Sequence, residues 1–129
     1  MSDSSGVIIK CKNKILLCKR SENNDYSGYW SPPMGGVEEN ESSLDAAKRE
    51  FEEETNIKIL GGLKKIAEIK EKNKKIYFYL KNTNKEINPN LKKAKDGFEH
   101  SECGYFNKVE IEGLKSSEKF KKVYEKILN

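Results

Sequence analysis

Short apolar runs separated by polar turns fill most of the chain, and apolar residues at helical spacing close it. Val7-Ile8-Ile9 and Ile15-Leu16-Leu17 centre two segments, residues 7–12 and 15–20, that meet at Asn13-Lys14 and predict a β-hairpin. Residues 57–60, 63–70 and 76–81 read as three more strands, the last two joined by a turn at 71–74. Leu44, Ala47 and Phe51 form the apolar stripe of a helix over 43–55, with Ser42 or Ser43 as its N-cap. Phe120, Val123, Tyr124 and Ile127 predict a second amphipathic helix over 117–128. Residues 98–106 return toward the core, with Tyr105-Phe106 in strand. Two stretches lack a pattern. Residues 21–36 are polar and glycine-rich, with Pro32-Pro33 near their end, and residues 82–97 are longer than an idle connection in a compact domain. The order of elements suits a mixed sheet flanked by helices.

At 129 residues the chain fits one domain over 1–129, large enough to bury roughly two-thirds of its unfolded surface. No apolar run nears the length of about 20 residues that crosses a bilayer, so no membrane partner is expected. The polar start Met1-Ser2-Asp3-Ser4-Ser5-Gly6 carries no signal-peptide pattern, which predicts a cytoplasmic protein. Cys11 and Cys18 lie within apolar runs and read as buried free thiols. His100-x-x-Cys103 is half of a zinc pattern with no second half at usable spacing. The net charge of +4 is unevenly spread, with lysines crowded between Lys58 and Lys95. A lysine- and asparagine-rich composition accounts for that crowding more readily than a field drawing in polyphosphates or RNA, because base-stacking aromatics are not interleaved with it.

Charge placement changes the picture between residues 35 and 57. Glu50, Glu53 and Glu54 stand at i, i+3 and i+4, so on a helix they project from one side. Like charges at that spacing repel by a few tenths of a kcal/mol per pair, and the end of the helix dipole where they sit disfavours anions. An acidic run in a chain that is 36% charged would ordinarily be a solvated face. Here its spacing to Gly35, Glu41 and Arg49 sets it apart.

The arrangement resembles the signature of the Nudix hydrolases, G-x5-E-x7-R-E-U-x-E-E-x-G-U with U a bulky apolar residue. In this chain it is filled by Gly35, Glu41, Arg49, Glu50, Phe51, Glu53, Glu54, Asn56 and Ile57. Asn56 replaces the family glycine just past the helix end, where a left-handed conformation is needed and Asn is the next-best residue. Met34 in Pro33-Met34-Gly35-Gly36 is a milder departure.

The resemblance implies an α/β protein with the Nudix fold, an α-β-α sandwich around a mixed, mainly antiparallel sheet. It implies hydrolysis of a diphosphate linkage within a nucleoside diphosphate joined to another group. The cofactor would be Mg2+ (or Mn2+), held by Glu50, Glu53, Glu54, Glu99 and the carbonyl of Gly35. Arg49 would point away from the cations and pair with Glu41, bracing the loop. Glu99 is the first candidate for the base that activates water, with Glu50 and Glu102 as alternatives and His100 as a proton shuttle. Arg20 ends the second strand and is placed to bind phosphates or simply to face solvent. Tyr29 or Trp30 stacks on a base, or Trp30 anchors the core.

The chain shows none of the downstream features associated with ADP-ribose, NADH or coenzyme A substrates. It looks most like the nucleoside triphosphate pyrophosphatases, which release a nucleoside monophosphate and pyrophosphate. A dinucleoside polyphosphate, an RNA 5′ end, and a non-catalytic nucleotide-binding role are the other readings, and the chain is expected to act as a monomer or homodimer.

Overall fold

Two segments that are apolar on both faces need a sheet covered on both sides. The computed structural model, which describes residues 2–22 and 26–128, provides one. In chain order its strands are β1 (Ser4–Cys11), β2 (Lys14–Arg20), β3 (Trp30–Ser31), β4 (Met34–Gly36), β5 (Lys64–Glu71), β6 (Lys74–Thr83) and β7 (His100–Phe106). The helices are α1 (Ser43–Thr55), α2 (Lys108–Glu112) and α3 (Glu118–Ile127). β1 runs parallel to β6 from Ser4↔Ile76 to Cys11↔Thr83 and antiparallel to β4 on its other side. β2 turns back at the far end of β1 and pairs along its length with β7. β5 lies outside β6 as an edge strand. Every pairing but β1–β6 is antiparallel, so the sheet is mixed and mainly antiparallel, as the resemblance implied.

Alternation along the strands sorts the core into two halves. Val7, Ile9, Leu16 and Tyr79 face α1 and pack with Ala47 and Phe51. Ile8, Ile15, Leu17 and Phe78 face the other way, against Ile111, Tyr124 and Leu128. Phe51 is fully buried, which stabilises the seat of α1 by roughly 2–3 kcal/mol.

The structure corrects four expectations. Residues 57–60 form no strand; β6 is already flanked by β1 and β5, and Ile57 and Ile59 pack instead into the core half beneath α1. β3, β4 and α2 lie in stretches without a strand or helix pattern, because each is too short to show a period. The loop expected over 21–36 therefore contains two strands, and residues 23–25 of it lie outside the described residues. Cys18 is not a free thiol. β2 and β7 set Cys18 directly opposite Cys103, and the two form a disulfide that leaves Cys11 as the buried free thiol. Strand pairing across 85 residues of sequence carries no local signal.

Alkylation of the denatured, unreduced protein is expected to label Cys11 alone, and all three cysteines after reduction, as read by intact mass.

Candidate functional site

Helix α1 is fixed at both ends before its acids are considered. Ser42 caps its start by accepting from the Asp45 N–H at 3.0 Å. The buried Ser5 hydroxyl of β1 donates to the Ser43 carbonyl at 2.7 Å, and Ser43 Oγ meets the Tyr79 hydroxyl at 2.6 Å. At the other end Asn56 takes the left-handed conformation, φ 64°, and its N–H returns to Glu52 O. The loop between β6 and β7 adds two donors there: Asn90 N–H reaches Thr55 O at 2.9 Å and Asp96 N–H reaches Glu53 O at 2.6 Å. Those donors answer the helix's open carbonyls where its dipole is negative. The same loop then closes on itself at Gly97, where a Cβ would lie 2.0 Å from the Leu91 carbonyl oxygen. A 3-10 turn, Gly97–Glu99, follows and delivers Glu99 beside α1.

Arg49 sits among the acids and divides its donors between them. Its Nε and Nη2 engage the two oxygens of Glu41 at 2.8 and 2.9 Å, and Nη2 also reaches Gly36 O at 2.9 Å. The loop is thus tied to the helix as expected. Its Nη1, however, reaches Glu50 at 2.8 Å and Glu53 at 3.1 Å, so Arg49 does not turn away from the acid face. Its planar fork carries enough donors to serve both sides at once. The Arg49 hydrogen bond pulls the Glu41 carboxyl down to about 2, with help from the Glu38 backbone.

Three of the motif acids are held out of bulk solvent: the side chains of Glu50, Glu53 and Glu54 are 13%, 20% and 1% exposed. Glu50 lies over Gly35, where a Cβ would fall 1.9 Å from its carboxylate, so only glycine admits this approach. Burial raises the Glu50 pKa against the opposing pull of Arg49. Glu54 is raised well above the carboxylate range, first by burial and then by the charges of Glu50 and Glu99. Its Oε1 meets His100 Nε2 at 2.5 Å, both side chains being 1% exposed. Burial, seconded by Arg20, lowers His100 to about 4.

Glu99 faces Arg20 at 3.9 Å and is raised by burial, with Asp96 and Glu53 adding to the effect. The structure therefore gathers Glu50, Glu53, Glu54, Glu99 and Arg20 into one electrostatic neighbourhood. Glu102 stands apart: it pairs with Lys19 across the strands at 4.0 Å and is well exposed. Trp30 packs edge-on to Phe106 in the core half away from α1, and Lys115 lies over the Tyr29 ring at 4.8 Å. His100 as the partner of Glu54 was not legible in sequence. Its one signal was position, as the single histidine of the chain, next to Glu99.

Among the described residues no three acid, histidine or cysteine side chains form a ready-made cation cage. Arg49 holds Glu50 and Glu53, and His100 holds Glu54. The donor set nonetheless fits a hard divalent cation, being carboxylate oxygens of which one, on Glu50, lies against a glycine whose missing Cβ makes room for it. Two open surface grooves, of about 750 and 820 Å³, lie elsewhere.

With this geometry in hand, comparison places the chain among known proteins. A NUDIX domain family model matches residues 3–127. An RNA pyrophosphohydrolase of Pelagibacter ubique is 44% identical over 52 residues, 40% of this chain and 32% of that protein. An 8-oxo-dGTP diphosphatase of Buchnera aphidicola is 44% identical over 55 residues, 43% of this chain and 42% of that protein. The chain thus matches less than half the length of either relative. Among solved structures, a MutT NUDIX hydrolase from Burkholderia pseudomallei superposes with a TM-score of 0.80 at 20% identity, over 98% of this chain and 97% of that one. A C. elegans Ap4A hydrolase gives 0.69 at 19% identity, over 97% and 95%. At such identities the likeness is one of fold.

The Glu41–Arg49 pair generates a pH prediction. Glu41 has a folded-state pKa below its ordinary 4.5. Its stabilisation is therefore complete above that value and is lost as pH falls toward about 2. Glu41→Gln should cost about 1 kcal/mol in urea unfolding at neutral pH. The difference from wild type should shrink steadily below pH 4.5.

Proposed function

Since the chain belongs to the NUDIX domain family, we propose that it is a divalent-cation-dependent hydrolase cleaving a phosphoanhydride bond in a nucleoside diphosphate-linked substrate. The substrate we assign is a nucleoside or deoxynucleoside triphosphate, released as the monophosphate and pyrophosphate. The observation that carries this reading is the gathering of Glu50, Glu53, Glu54, Glu99 and Arg20 into one neighbourhood, with Glu50 against Gly35. So many carboxylates, half or wholly buried, belong together only where positive charge joins them.

Glu50, Glu53, Glu54 and the Gly35 carbonyl would hold Mg2+ or Mn2+. When bound, it would neutralise diphosphate charge and lower the pKa of a bound water. The residues do the remainder. Arg20, at the end of β2, offers its guanidinium fork to phosphate oxygens. Glu99 takes the proton of the attacking water; burial favours its protonated form and so makes it a better acceptor than a solvated carboxylate. Glu50 stays available as the alternative base, whereas Glu102 faces its exposed pairing with Lys19. Arg49 and Glu41 keep the Gly35 loop against α1. Tyr29 adjoins the end of β2 through Arg20 N–H and the Tyr29 carbonyl, and is the aromatic we assign to the base. Trp30 serves the core.

A second reading, action on an RNA 5′ end, draws support from the lysines. Lys12, Lys14, Lys85 and Lys108 line the smaller groove, and Lys10, Lys119, Lys122 and Lys126 the larger. Relatives named RNA pyrophosphohydrolase agree with it.

Nucleotide screening with Mg2+ and Mn2+, reading the phosphate products, should give pyrophosphate from mononucleoside triphosphates. Release of orthophosphate alone would overturn the assignment. A preference for 5′-triphosphorylated RNA that collapses between about 50 and 200 mM salt would select the second reading. Glu53→Gln should lower kcat by roughly 10²–10³-fold, the scale of losing one electrostatic stabiliser of a transition state, with unfolding unchanged. An unimpaired Glu53→Gln protein would leave only a binding role.

A further inference from the structure

His100 does not reach Glu54 by ordinary strand geometry. On β7, Cys103 and Tyr105 join the core half beneath α1, while Phe106 joins the opposite one. Continuing that alternation backward would put residue 101 on the α1 side and residue 100 on the far side. The register shows otherwise. Lys19 pairs with Glu102 and Arg20 with His100, so Ser101 is an extra residue with no opposite number, a β-bulge. Bulges re-aim a side chain, and this one brings His100 to the α1 face.

There its ring is buried, its Nε2 meets Glu54, and the Lys19 backbone is a further hydrogen-bond partner of the imidazole. Burying a ring with two polar nitrogens on a core face carries a desolvation cost that its hydrogen bonds must offset. A leucine would fill the space without that cost. Packing alone therefore does not account for a histidine placed here by a break in the ladder.

We propose that His100 is a positioning residue: by engaging Oε1 of Glu54 it fixes that carboxylate so that its other oxygen is the one presented to a cation. The inference rests on the reading of Glu54 as a cation ligand. The neighbours make such fixing necessary. Arg49 restrains Glu50 and Glu53, whereas the basic partner described for Glu54 is His100. Without His100, Glu54, the most buried of the three acids, would keep only its hydrogen bond with Glu50, another acid of the same face. Polar partners behind a ligand act this way in many cation sites, and their loss costs about 10–100-fold in affinity or activity.

The test compares His100→Leu, which removes the polar contact, with His100→Gln, whose amide nitrogen can stand where Nε2 stands. Mn2+ binding is followed by electron paramagnetic resonance, alongside kcat and KM on the nucleotide substrate and thermal unfolding. His100→Leu should weaken Mn2+ binding by about 10–100-fold and lower kcat with little change in KM. His100→Gln should restore both to within about threefold. Should the leucine variant not fold, His100→Asn, whose amide falls short of Glu54, replaces it. Equal Mn2+ binding by wild type and His100→Leu overturns the proposal and leaves the hydrolase standing. Equal losses in the Leu and Gln variants also overturn it, since they indicate packing. Wild-type protein that binds no Mn2+ at any concentration overturns the cation reading and this inference together.

Discussion

Mutual repulsion among the carboxylates of α1 is the constraint around which the rest of this structure is organised. Glu50, Glu53 and Glu54 crowd the negative end of a helix, and two of them are nearly or fully withdrawn from water. A helix end in that state would unwind unless opposed. One guanidinium spans five acceptor oxygens on four residues, and the β6–β7 loop lends N–H groups to the last carbonyls. Phe51 anchors the opposite side of the helix in the core. The chain thus stores charge where solvent would otherwise disperse it, and holds it there by packing and by Arg49 together.

The loop between β6 and β7 has two tasks in this scheme. It terminates α1 through Asn90 and Asp96, and it carries Glu99 to the acids through the tight passage at Gly97. Capping and placement come from one segment, so the position of Glu99 is coupled to the integrity of the helix end. A loop of this length is accordingly ordered by its contacts with the helix rather than by internal secondary structure.

Much of this was legible in the sequence where it depended on short-range pattern. The Val7-Ile8-Ile9 and Ile15-Leu16-Leu17 blocks announced buried strands, and Leu44, Ala47 and Phe51 announced the face that α1 turns to the sheet. Asn56 behaved as its residue type suggested, in the left-handed conformation. Non-local geometry was hidden. The Cys18–Cys103 bond depends on a strand pairing that joins distant parts of the chain. Ile57 and Ile59 looked like a strand because apolar β-branched residues suit a strand or a packed coil equally well. Arg49 was read as serving Glu41 alone, since sequence spacing gives a partner but not the reach of a forked side chain.

Ser101 gives the protein an odd-numbered step in an otherwise even pleat. His100, the one residue of β7 before it, is read in one frame and the residues after it in another. Loop exchange between relatives, a common route to altered substrate choice, must therefore carry this residue with the transplanted segment. A graft that dropped it would preserve length to within a single amino acid and yet turn His100 away from α1.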